Sequence, residues 1–236
     1  MRRISTFLVM LILMLSFVSV QAVALNTVFT TEALNEADKE RILANMKIKH
    51  LSDEPAKVAI DCFDVDENGV IAIGCSSNFE TKRVCIYEKD GSFKCGYSFE
   101  TNGSFGIELI DNGLAIYLVR SDVAVFISSD GIVEEILEIQ NSMDNNSYWN
   151  NNVFSTVRET KDATYVLKND LGIFNLCASS YSQISVTEAD GQESIIYDVN
   201  AEQLVKNIFI TILVSIFVSI VVAGVVKEIL KFKRKA

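Results

Sequence analysis

Apolar and polar residues alternate in short bursts along most of this chain, and long apolar runs without a charge occur only near its two ends. Between them the pattern predicts strands and tight turns. Val58 to Phe63 leads through Asp66-Glu-Asn-Gly69 into Val70 to Cys75, and Arg83 to Tyr87 leads through Lys89-Asp-Gly91 into Phe93 to Phe99. The arrangement returns as Gly106 to Leu109, turn Asp111-Asn-Gly113, Leu114 to Val119, then Val123 to Ile127, turn Ser129-Asp-Gly131, and Ile132 to Ile139. Asn-Gly or Asp-Gly between alternating apolar runs is a strong local hairpin signal. Only Thr31 to Met46 breaks the β pattern; its good helix formers and early acids predict a short helix.

The turns repeat. Asn68-Gly69 and Asn112-Gly113 are 44 residues apart, and Asp90-Gly91 and Asp130-Gly131 are 40 apart. A looser third copy runs from Ala163 to Leu167 through Tyr181 to Val186 and turn Ala189-Asp-Gly191 to Ile195–Val199. Four short antiparallel strands returning every forty-odd residues are the mark of a propeller blade. On these turn motifs, residues 57 to 199 resemble bacterial extracytoplasmic β-propeller repeat proteins of the NHL and YncE kind. The resemblance implies a mainly β fold of antiparallel four-stranded, blade-like repeats, a small or incomplete β-propeller. It carries no ligand residue across. Three units fall short of the usual four to eight blades. Either the N-terminal helical region helps close an irregular ring or the sheets form an open stack; a β-meander or sandwich is the alternative.

The end segments divide the chain. Arg2 and Arg3, the apolar run Phe7 to Val20 and Ala22-Val-Ala24 read as a signal peptide over 1–24, so the mature chain is expected to begin near Leu25. Ile208 to Val226 holds nineteen uncharged residues. As a helix these reach roughly 28 Å, close to the ~30 Å hydrocarbon core of a bilayer. The expected organisation is a helical segment over 25–56, a β-repeat ectodomain over 57–200, a polar juxtamembrane link over 201–207, a transmembrane helix over 208–226 and a basic tail over 227–236. The tail holds Lys227, Lys231, Lys233, Arg234 and Lys235 against Glu228, which predicts a cytoplasmic C-terminus and a type I, single-pass protein of the cell membrane. Ser215, Ser219 and Ala223 fall at four-residue spacing, a small-residue face suited to packing on another membrane helix.

Charge sharpens this picture. The chain has 21 basic and 31 acidic residues; with the termini set aside, Leu25 to Lys206 holds 14 and 30, a net −16. Such a surface argues against nucleic acid as a partner. Five cysteines (Cys62, Cys75, Cys85, Cys95 and Cys177) leave at least one unpaired; Cys75 and Cys85 lie symmetrically about Ser77 to Thr81 and could meet across a hairpin. They lack zinc spacing, and the lone His50 lies apart. Asp64, Asp66 and Asn68, with Gly69, match the first half of a calcium loop, but Ala72 and Cys75 stand where later ligands belong, so a hairpin turn is the better account. Asn141 to Asn152 is an Asn-rich insertion carrying Tyr148 and the only tryptophan, Trp149. That pair either stacks on a sugar or anchors a partner, or Trp149 tucks under the loop to fill the core edge. The chain has no G-x-S-x-G, H-E-x-x-H or Gly-rich phosphate loop, so neither an enzyme nor a cofactor is expected. The expectation is a membrane-anchored binding protein, an accessory or sensory module for another membrane protein. The alternative is an independent receptor for a glycan or peptide.

Overall fold

The computed structural model describes residues 27–111, 113–177 and 180–235, except for the side chains of 176, 177, 225, 226 and 228–235. The signal peptide over 1–24, Asn112 and the Cys177 side chain lie outside the described residues. The chain is mainly β, in three antiparallel sheets, with one C-terminal apolar helix; no sheet closes on itself.

Each predicted repeat is a four-stranded meander in a sheet of its own, and two of the sheets carry a fifth strand. The first contains β3 (Ile60–Val65), β4 (Ile71–Ser76), β5 (Thr81–Tyr87) and β6 (Phe93–Glu100). The second contains β7 (Phe105–Ile110), β8 (Gly113–Leu118), β9 (Val123–Ser128) and β10 (Val133–Ile139). The third contains β11 (Val157–Glu159), β12 (Ala163–Lys168), β13 (Gln183–Glu188) and β14 (Glu193–Asp198). The sequence pattern missed β11, whose three residues are too short to show alternation.

Four hairpins share one turn chemistry. At β3–β4, the Gly69 amide donates to the Asp66 carbonyl (3.1 Å), and the Asp66 amide donates to the Val70 carbonyl (3.0 Å). Asp66 Oδ1 then accepts from the amides of Asn68 and Val70, both at 2.8 Å. Gly69 has φ +83°, which a Cβ would strain; Gly91, Gly131 and Gly191 repeat that backbone at β5–β6, β9–β10 and β13–β14. At these four hairpins the Asx-Gly dipeptide therefore marks a three-residue loop ending in a glycine bulge, whereas Gly113 is the first residue of β8.

The segment over 25–56 differs from the expected helix. Thr31–Ala33 is β1, paired to β10, and Lys49–Leu51 is β2, paired to β6. Only Glu36–Met46 is helical (α1), because Asn35 caps it by accepting from the Asp38 amide at 2.9 Å. β1 and β2 thus cover the outer edges of two sheets, which would otherwise expose unpaired backbone.

The first sheet lies in the middle. One face packs on the second sheet through Val84, Ile86 and Phe99 against Phe105, Ile116 and Val125. Its other face packs on the third sheet through Ile60, Phe63 and Ile73 against Tyr165, Ile184 and Tyr197. Burial on both faces explains why β4, β8 and β9 are apolar almost throughout instead of alternating. The remaining face of the second sheet meets Phe29 and the Asn-rich insertion, which folds as a one-and-a-half-turn helix (α2, Met143–Tyr148) running into a π-turn at Trp149–Val153. This insertion covers that face of the second sheet, and its Val153 carbonyl accepts from Arg158 of β11 at 3.3 Å. Gly106 on β7 makes the seat: a Cβ there would meet Val153 Cγ1 at 2.2 Å.

After β14, Asn200–Lys235 forms one helix, α3. The expected polar link over 201–207 is its first two turns, not a separate connector.

The register also separates two cysteines. Cys75 stands opposite Arg83 and Cys85 opposite Ile73, so Cys75 and Cys85 are two residues out of line across the hairpin. Cys62, Cys75, Cys85 and Cys95 are all free thiols.

Candidate functional site

The edge strands β3, β7 and β11, one from each sheet, each bring one ionisable residue to a shared cluster. Asp64 from β3 and Arg158 from β11 form an ion pair, Oδ1 to Nε 2.7 Å, with each side chain 14 % exposed. Asp64 Oδ2 accepts from the Leu109 amide of β7 at 2.7 Å. Arg158 also donates to the carbonyls of Phe63 (3.2 Å) and Val153 (3.3 Å) and lies over the Phe63 ring. Glu108 of β7 accepts from the hydroxyls of Tyr117 and Tyr148. Burial raises its pKa above the ordinary carboxylate range, although both hydroxyls act against that shift. This network is fully engaged and pins the sheets together.

The open site lies beside it, where β3 and β7 begin. Strand alternation sends Lys82 to the same inward face as Val84 and Ile86, so an ammonium ends an otherwise apolar stripe. Lys82 is 6 % exposed; its Nζ donates to Ser76 Oγ (2.9 Å) and to the Phe79 carbonyl (3.1 Å). Ser76 Oγ in turn donates to Asp61 Oδ2 at 2.5 Å. Burial raises the Asp61 pKa, opposed by the Ser76 hydrogen bond and the Lys82 charge. Between the β4–β5 loop and the second sheet is a cavity of about 490 Å³, walled by Asp61, Ser76 and Lys82 on one side and by Phe105, Phe154 and Tyr181 on the other. Asn78 Oδ1 ties the loop by accepting from the amides of Glu80 (3.0 Å) and Thr81 (2.7 Å), and holds Phe79 at the rim, 79 % exposed. Such a site can offer one cation, one carboxylate and an aromatic wall to a small molecule.

The residues singled out from sequence are placed elsewhere. Trp149 is 8 % exposed and packs among Phe29, Tyr117 and Phe154, so it fills the core edge and forms no open platform with Tyr148. Tyr148 is half-buried, its hydroxyl on Glu108. Asp64, Asp66 and Asn68 do not converge: Asp64 faces Arg158 and Leu109, while Asp66 and Asn68 close their own turn. Among the described residues, no group of His, Cys, Asp and Glu is arranged to hold a metal. Ser215 and Ser219 line one face of α3 and donate back to the carbonyls of Thr211 and Ser215, both at 2.8 Å; Ala223 continues that exposed face. Asp61, Ser76 and Lys82 were missed, although one signal was legible: a lysine in phase with Val84 and Ile86.

The helix α3 is long and apolar enough over Asn200–Gly224 to cross a membrane, and none of that stretch is buried against the sheets. No family model, curated protein or solved structure matches this chain.

Proposed function

We propose that the protein is a single-pass, membrane-anchored binding module whose β domain works outside the cytoplasm as an accessory or sensory part of another membrane protein. In this reading the three sheets act as the blades of a small, irregular propeller held about β3, β7 and β11, and the basic tail is cytoplasmic. The observation that carries it is the unbroken passage from β14 into α3. Only Val199 separates them; it is buried, and its amide donates to the Ser182 carbonyl at 2.9 Å. Asn200 Oδ1 accepts from Ser182 Oγ, and Gln203 Nε2 donates to the Tyr181 carbonyl at 3.3 Å. That carbonyl also accepts from the Ile60 amide at 2.8 Å, which couples the helix to the first sheet. With no flexible linker, a displacement of the third sheet is carried into the span. The bare small-residue face of Ser215, Ser219 and Ala223 supplies a surface for a second membrane helix.

The test is in-cell crosslinking of the full chain followed by extraction in mild detergent. A stoichiometric membrane protein should co-purify, and replacing residues 208–226 with polyleucine should release it. Partner-free protein would refute this reading. A second reading, an independent receptor for a glycan or peptide, is favoured by the cavity beside Lys82, because a site open to solvent needs no partner to fill.

A further inference from the structure

We infer that the cavity walled by Lys82, Asp61 and Phe79 binds a small zwitterion, specifically a free α-amino acid with an apolar side chain. This deepens the receptor reading and stands independently of any membrane partner. The Lys82 charge is incompletely partnered. The Lys82 ammonium is withdrawn from water, yet among the described residues it forms no ion pair and donates only to two neutral oxygens. An ammonium has three protons, so one is left without a protein acceptor, and a buried charge with incomplete partners is costly. Asp61 is half-buried; its Oδ2 is engaged by the Ser76 hydroxyl, the Ser76 backbone amide and the Lys82 charge also act on its carboxylate, and Oδ1 is unused by any described side chain.

Ser76 holds these opposite charges one hydroxyl apart. A simple anion placed on Lys82 meets Asp61 at short range, and a simple amine placed on Asp61 meets Lys82. A neutral sugar stacks on the phenyl rings but offers neither a full negative charge to the free Lys82 proton nor a positive one to Asp61. A molecule whose carboxylate and ammonium lie on one carbon gives each of them a partner at once, the carboxylate on Lys82 and the ammonium on Asp61. The third substituent of that carbon then points at Phe79, Phe105 and Phe154. Phe79 is the clearest sign that this wall is meant to be covered, because an Asx turn holds a bare phenyl at the mouth instead of folding it in. The volume falls within the range of small-molecule sites, roughly 300–1,000 Å³. Tyr181 places the wall one residue from Ser182, on which α3 is anchored.

The test uses the full chain in detergent micelles, with thermal unfolding followed by Trp149 fluorescence. L-Leucine and L-phenylalanine at about 10 mM should raise the melting temperature in a saturable way. Isovalerate, isoamylamine and glucose at the same concentration should not. Phe79→Ala should leave the unliganded melt unchanged and weaken amino-acid affinity by about fivefold or more, since it removes only exposed aromatic surface. Lys82→Met should abolish binding; if that variant does not fold, Phe79→Ala and Ser76→Ala carry the test. No shift with any amino acid, an equal shift with isovalerate or glucose, or full affinity in Phe79→Ala would each overturn the inference.

Discussion

Replacing Arg158 by Met removes the single cation from a buried cluster holding two carboxylates. The perturbation strands Asp64, which keeps only the Leu109 amide at 2.7 Å, and leaves the carbonyls of Phe63 and Val153 without that donor. Breaking a buried pair by removing one partner costs about 3–5 kcal/mol. Three features keep this case inside that range: both side chains are only 14 % exposed, Leu109 still offsets part of the loss, and the two orphaned carbonyls add to it. For a chain of this size the loss corresponds to a fall in Tm of about 6–20 °C. The assay is intrinsic fluorescence, since Trp149 is the only tryptophan and sits in the turn whose Val153 carbonyl Arg158 holds. The paired variant Asp64→Asn/Arg158→Met discriminates the cause. With no uncompensated charge left inside, it should regain at least about 2 kcal/mol over Arg158→Met alone. A single variant that melts within a degree or two of wild type, or a double variant no better than the single, would refute the claim that this ion pair pins the sheets.

Other predictions follow from the same packing. Glu108 has a pKa raised by burial, so the folded state holds its proton more tightly than the unfolded state does. Its contribution is fully present below the ordinary carboxylate pKa and is lost as pH rises through the raised value, so acidification across that window should stabilise the protein. In Glu108→Gln, urea melts at a series of pH values should show a flatter dependence; an unchanged slope would rule this group out. Gly106→Ala drives a Cβ into Val153 and toward Trp149 Cζ3 at 3.3 Å, and should cost about 1–3 kcal/mol with a red-shifted Trp149 emission. A fluorescent maleimide should label half-buried Cys95 ahead of Cys62, Cys75 and Cys85, by peptide mapping of the native protein. Burial raises the thiol pKa at all four, to about 11 at Cys85, and Cys62 and Cys75 are also sealed from reagent.

Local chemistry was legible wherever it acts over a few residues. Asp66-Glu-Asn-Gly69 and its copies specify turns because the aspartate and the positive-φ glycine close the loop by themselves. Nineteen uncharged residues from Ile208 specify an apolar helix because backbone groups in lipid have no partner but each other. Short apolar runs between turn residues specified eleven of the strands, and their forty-residue return divided them into three units. The calcium-like spacing at Asp64 belongs to a hairpin turn, as the missing later ligands indicated, but spacing alone could not show that Arg158, 94 residues away, faces that carboxylate.

What the amino-acid sequence determined by itself was therefore most of the elements, their turns and the membrane-length helix, all set by contacts within a few residues. Only the tertiary structure decided which sheet lies in the middle and that the Asn-rich insertion packs on the second sheet with Trp149 buried beneath it. Only the fold showed that Lys82, Ser76 and Asp61 share one cavity. Those outcomes depend on pairings between residues tens of positions apart, whose energies come from faces and partners that no local pattern contains.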